Sequence, residues 1–223
     1  MRRPPARRPR LVAGALSAAA AVAAASSCAD DGPADPAGAT VVAVAAQPCD
    51  RPLPAEGVGV VVGDGIVVTA GHVVEGPRRT ITVDGAPATV VVVDPRTDLA
   101  LLRTELLGDA ELADGPAGAL HVATPAGDVD VALARTGLLV VDDTADRTRY
   151  EREVHTVRPD LAGGTSGAPL VDDAGRVLGV VVLANRRAGT SYAVTAAEVR
   201  RLLENRSPGR DVPVASAAGA CPD

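Results

Sequence analysis

From residue 58 onward the chain alternates short apolar runs with tight, small-residue or charged turns. Runs at 58–62 and 66–69 flank Gly63-Asp64-Gly65, and an Asp-Gly step between apolar runs signals a hairpin. Further runs at 80–83, 88–93 and 99–103 continue the pattern, which then lapses over 104–118. Strands resume at 120–122, 131–133, 137–141, 154–157, 169–171 and 177–183, and 142–152 is dense in charge and reads as an exposed loop. Helical periodicity shows at 196–205, with Val199, Leu202 and Leu203 on one face. Many short strands and one terminal helix describe an all-β fold.

Composition sharpens this picture. Hydrophobic residues make up 47% of the 223, yet aromatics only 1%, with no Phe or Trp. The core must come from Val, Leu, Ile and Ala, and β-branched runs favour strands. The formal net charge is -6, and it falls further, to about -11, without the five Arg of the first ten residues. An acidic chain of this kind argues against nucleic-acid binding.

Residues 1–28 read as an export leader: Arg2, Arg3, Arg7, Arg8 and Arg10 precede an Ala-rich apolar stretch. The stretch ends at Ala25-Ser26-Ser27-Cys28, similar to a bacterial lipobox in which the cysteine is lipidated. Ala25 stands where such boxes usually carry Leu, so cleavage without lipidation is the alternative. The expected location is the cell envelope, lipid-anchored at Cys28, or the medium; any membrane association runs through that anchor alone. Residues 29–48, rich in Ala, Gly, Pro and Asp, read as a tether in which 41–44 allows a short strand.

Three segments carry candidate chemistry. Gly163-Gly164-Thr165-Ser166-Gly167-Ala168-Pro169 surrounds one serine with small residues, a setting for a nucleophile whose oxyanion hole is the N–H pair of Gly164 and Ser166. An apolar run ending in Ala70-Gly71-His72 places a histidine just past a strand. Asp98 leads directly into Leu99-Ala100-Leu101-Leu102. In the order His72, Asp98, Ser166 these segments resemble the trypsin-like (chymotrypsin-fold) serine peptidases. The likeness spans about residues 56–203 and is greatest to compact bacterial HtrA-like and acid-resistance periplasmic proteases.

The resemblance implies two six-stranded antiparallel barrels with a C-terminal helix, divided as 49–118 and 119–223. It implies a serine endopeptidase whose triad is His72, Asp98 and Ser166, acting on a protein or peptide. The α/β-hydrolase order, serine before acid before histidine, does not fit. Asp160, six residues before Ser166, stands where trypsin carries the acid selecting Arg or Lys; HtrA-like relatives do not follow that rule. Leu183 and Ala184 fall in a stretch, 182–185, suited to pairing with substrate as an added strand. Thr165 replaces the Asp that many relatives use to pair with a newly cut N-terminus, so no activation by trimming is expected. With export, Cys49 and Cys221 remain to form one disulfide, two unpaired thiols being the alternative. His121 and His155 read as ordinary residues, and no zinc or EF-hand spacing implies a metal or cofactor. A degenerate binding module and an exported esterase are the competing functional readings.

Overall fold

The computed structural model describes residues 38–50, 52–76, 78–142, 149–206 and 221. The leader, with Cys28, and the first part of the tether lie outside the described residues.

Two antiparallel sheets follow one another along the chain. The first contains β1 (Val41–Pro48), β2 (Ala55–Val61), β3 (Ile66–Ala70), β4 (Arg78–Val83), β5 (Ala86–Pro87), β6 (Thr89–Asp94) and β7 (Leu99–Arg103). Its ladder order is β5-β4-β1-β2-β3-β7-β6, and a one-turn helix, α1 (Gly71–Val74), follows β3. The second contains β8 (Leu120–Val122), β9 (Val129–Asp142), β10 (Arg149–Arg158), β11 (Pro169–Asp172), β12 (Val177–Asn185) and β13 (Thr190–Thr195). It closes into a barrel in the order β10-β13-β12-β11-β8-β9, and α2 (Ala196–Asn205) ends the chain's regular structure. The expected chymotrypsin-like pair of β-structures with a terminal helix is therefore present. The first sheet has seven strands because the two-residue β5 joins it, and its ladder is open between β5 and β6.

Every residue of β3 is buried, as are Leu99 to Leu102 of β7, which pairs with it. Strands covered on both faces read as continuous apolar runs, not as alternation. These two buried runs end at His72 and begin after Asp98. The hairpin at Gly63-Asp64-Gly65 forms as expected, with all three residues at positive φ. A second apolar cluster, including Val122, Val157, Leu170 and Leu178, fills the barrel.

Four expectations need correction. In the tether, the short strand allowed at 41–44 forms but runs on to Pro48 as β1, paired on both sides with β2 and β4. Alanine is a weak strand former, and the sheet on either side decides the matter. Of the expected charged loop, 149–152 opens β10, where Arg152 and Val154 point inward and Glu151 outward. The separate strands at 131–133 and 137–141 are one strand, β9, running through Gly137. The linker 104–118 pairs in part with the barrel, Ala113 N donating to Val177 O and Val177 N to Glu111 O, each at 2.8 Å.

Cys49 and Cys221 are joined by a disulfide across 172 residues of sequence. Cross-linking a loop this long restricts the unfolded chain by about 5 kcal/mol on the chain-entropy account. Replacing both cysteines with alanine is expected to lower unfolding stability by about that amount. Denaturant titration of the two proteins checks it.

Candidate active site

At the end of β3 the chain turns through Gly71 into α1. Gly71 N donates to Asp98 O at 2.7 Å, and a Cβ at Gly71 would lie 3.1 Å from Asp98 Oδ1. A larger residue at Gly71 would press on Asp98 at this close approach, which favours glycine. Opposite, Asp94 organises the turn before β7. Its Oδ1 accepts from Arg96 N at 3.0 Å, its Oδ2 from Thr97 Oγ1 at 2.7 Å, and its carbonyl from Asp98 N at 2.9 Å. Asp98 emerges at φ 59, a left-handed conformation uncommon outside glycine and concentrated at functional sites. Arg96 also donates to buried Glu198 of α2 at 2.7 Å, tying this turn to the second half of the chain.

That conformation presents both carboxylate oxygens to His72. Oδ1 accepts from His72 N at 2.8 Å, and Oδ2 lies 2.9 Å from Nδ1. The imidazole is thereby fixed with Nε2 facing Ser166 Oγ at 3.0 Å. The Asp98 hydrogen bond raises the His72 ring above its ordinary 6.5, while burial and Arg152 pull it down.

Ser166 arrives from the barrel. Its carbonyl accepts from Val58 N at 2.8 Å, and the next residue, Gly167, donates to Val181 O at 2.7 Å. Gly167 has φ 89, and a Cβ there would collide with the Val58 carbonyl and the Thr69 hydroxyl. The serine bend thus rests directly on β2 and β3, which explains glycine at this position. Thr69 is itself fully buried and donates to Val58 O at 2.7 Å, so its hydroxyl is satisfied. Among the described residues, no protein group accepts from the N–H of Gly164 or of Ser166. Thr165 turns its hydroxyl onto Ala162 O at 2.8 Å.

The structure therefore brings His72, Asp98 and Ser166 into one place, with Gly164 two residues before the serine. The other residues expected at a substrate pocket are differently placed. Asp160 is half-buried, and Leu183 and Ala184 are exposed near the end of β12. None of the three lines either cavity beside the serine and histidine. One, of about 660 Å³, lies between Glu56, Gly57, Thr124, Pro125 and Gly163 to Thr165. A smaller one, of about 190 Å³, is lined by His72, Glu75, Asp98, Tyr150 and Arg152. β12 pairs with β13 as far as Asn185, but beyond Val181 its other edge has no ladder partner among the described residues.

Arg152 was not a candidate on sequence, where it closed a charged stretch. It is 6% exposed, and its Nη1 donates to Thr97 O at 3.0 Å and lies 3.7 Å from Asp98 Oδ2. The alternation of Arg152, Val154 and Thr156 with Glu151, Glu153 and His155 was the available signal. His155 is buried with Nδ1 2.8 Å from Thr136 Oγ1, and burial lowers its pKa from 6.5. His121 is paired with Asp128 at 3.5 Å. Among the described residues, no group of three His, Cys, Asp or Glu could hold a metal ion, and no helix is long and apolar enough to cross a membrane.

The chain matches the family model of the trypsin-like peptidase domain over residues 57–180. It is similar to the serine protease Rv3671c of Mycobacterium tuberculosis, 34% identical over an aligned length of 192, covering 78% of this chain and 46% of the relative. It spans about half the length of that curated relative. The crystal structure of the M. tuberculosis Rv3671c protease in its active form superposes with a TM-score of 0.69, at 32% identity over 82% of this chain and 85% of that one. An HtrA-type protease, AlgW, shares the fold at a TM-score of 0.61 and 23% identity, over 79% of this chain and 62% of that one.

Proposed function

The chain belongs to the trypsin-like peptidase family, and from that premise we propose that it is an exported serine endopeptidase with His72, Asp98 and Ser166 as its catalytic triad. The observation that carries this reading is the unbroken contact from Asp98 Oδ2 through the His72 ring to Ser166 Oγ, with steps of 2.9 and 3.0 Å. A hydroxyl within hydrogen-bond reach of an oriented base is the arrangement an activated nucleophile needs.

Ser166 Oγ attacks the carbonyl carbon of the scissile peptide bond as its proton passes to His72 Nε2. The oxygen that gains charge is met by the N–H groups of Gly164 and Ser166. The tetrahedral adduct collapses when the imidazolium returns that proton to the leaving amine, leaving an acyl-serine. Water, deprotonated by the same ring, then attacks the ester, and the imidazolium returns that proton to Ser166 Oγ as the acid leaves. Throughout, Asp98 holds Nδ1–H and stabilises the imidazolium. The unpaired edge of β12 beyond Val181 suits an extended peptide added as a strand, with Leu183 and Ala184 beside it. Asp160, six residues before Ser166, is a candidate determinant of side-chain preference. Export is supported by the Arg-rich, Ala-rich leader and by the Cys49–Cys221 disulfide, a bond of oxidising compartments. Lipidation at Cys28 would retain the enzyme at the envelope.

A fluorophosphonate tests the reading on the full chain. Covalent labelling at Ser166, with hydrolysis of peptide substrates, is expected, and without prior cleavage before Val58. The absence of labelling would instead indicate a binding module, and hydrolysis of esters alone an esterase. The pH dependence follows from the raised His72 value. The ring acts as a base only when neutral, so activity falls as pH drops through that value. The acid limb of kcat/KM is expected to have its midpoint above 6.5.

A further inference from the structure

Arg152 stands apart among the arginines whose side chains are described. It projects from β10 of the barrel toward the turn of the first sheet that holds Asp98, and it is almost wholly buried. Its Nε is buried without a partner. Burying a guanidinium and leaving one of its donors unmet is costly, and such groups are retained where a fixed charge is needed. The charge faces Asp98 Oδ2 at 3.7 Å, beyond hydrogen-bond reach, while Nη1 anchors to the carbonyl of Thr97 at 3.0 Å. Oδ2 thus has two neighbours, the His72 ring at 2.9 Å and the Arg152 cation at 3.7 Å.

We propose that Arg152 is a positioning residue that holds the Thr97–Asp98 peptide in place and sets the pH at which His72 becomes a base. The inference rests on His72 serving as the base of the peptidase proposed above. An imidazolium next to Asp98 is stabilised by that carboxylate and by Glu75 at the end of α1. A cation held 3.7 Å from the same carboxylate offsets this attraction, so the ring gives up its proton at lower pH than the pair alone would allow. Asp94, Arg96 and Tyr150 are the other charged or titratable groups acting on Arg152; Asp94 and Tyr150 favour its cation and Arg96 opposes it. Because β10 belongs to the barrel and Asp98 to the first sheet, the contact also makes the base depend on both halves being docked.

The test is the pH profile of fluorophosphonate labelling for the full-length wild type, Arg152→Met and Arg152→Lys. Removing the charge in Arg152→Met strengthens the hold of Asp98 on the imidazolium. The midpoint of the acid limb should rise by about one pH unit. Labelling one unit below the wild-type midpoint should then slow about tenfold. Arg152→Lys keeps the charge and should keep the midpoint close to wild type, even if loss of the Nη1 hydrogen bond to Thr97 lowers the plateau rate. A wild-type midpoint in Arg152→Met would overturn the proposal, as would an equal rise in Arg152→Lys. Should the Met side chain prevent folding, Arg152→Gln is expected to raise the midpoint in the same direction, and no rise there would overturn it equally. NMR titration of the His72 ring in wild type and variants reads the same quantity without turnover. A wild type that never labels would sink the peptidase reading, while the NMR titration would still decide whether Arg152 sets the His72 proton affinity.

Discussion

Replacing Ser166 with alanine is expected to remove about a millionfold of peptide-bond turnover while the protein stays folded. The change deletes one oxygen, the Oγ that sits 3.0 Å from His72 Nε2. The contacts that seat the bend are made by backbone and survive it: Ser166 O still accepts from Val58 N, and Gly167 N still reaches Val181 O. A millionfold corresponds to about 8 kcal/mol of transition-state stabilisation. What remains should be the contribution of the two free N–H groups and of substrate alignment along β12. The check pairs peptide turnover with thermal unfolding of both proteins. A purified alanine variant turning over within tenfold of wild type would place the chemistry elsewhere.

The second large effect belongs to Asp98. Asp98→Asn is expected to lower turnover at neutral pH by about ten-thousandfold, because an amide nitrogen facing Nδ1 favours the wrong tautomer. Folding should be little affected, for a reason specific to this site. The residue sits at φ 59, where asparagine is among the few side chains tolerated at modest cost. The amide oxygen can still accept from His72 N, as Oδ1 does at 2.8 Å. Arg152, however, loses its counter-charge, so a small fall in stability accompanies the loss of turnover. Activity assays alongside denaturant midpoints separate the two. An active Asp98→Asn protein would remove the carboxylate from the mechanism.

The parts of this site legible in the sequence are those whose pattern is local. A glycine before His72, an acid just before an apolar run and small residues around Ser166 are short patterns readable in the chain itself, although the contacts that demand Gly71 and Gly167 come from Asp98, Val58 and Thr69. The two runs beside His72 and Asp98, β3 and β7, are almost wholly apolar, with Thr69 the one polar residue among the buried positions. What escaped reading was decided across the chain. Arg152 looks like one charge among many until the 94–98 turn, more than fifty residues earlier, is seen to cover it. The strand allowed at the valines of 41–44 extends through Ala45 to Pro48 because β2 and β4 hold both edges of β1. The larger cavity is assembled from β1, β2, the turn after β8 and the serine bend, four segments with no shared pattern.

The bond between Cys49 and Cys221 turns the catalytic region into a covalent ring, since every residue of the proposed triad lies between its two ends. In a ring, one hydrolysed peptide bond does not create two molecules. A protein working among proteases, itself included, would be nicked first at an exposed connection, and its two pieces would stay joined through sulfur. The halves carrying His72 and Ser166 would then remain at a high effective concentration and could keep their docking. Damage that ends the working life of an open chain would here be survivable, until a reductant opened the ring.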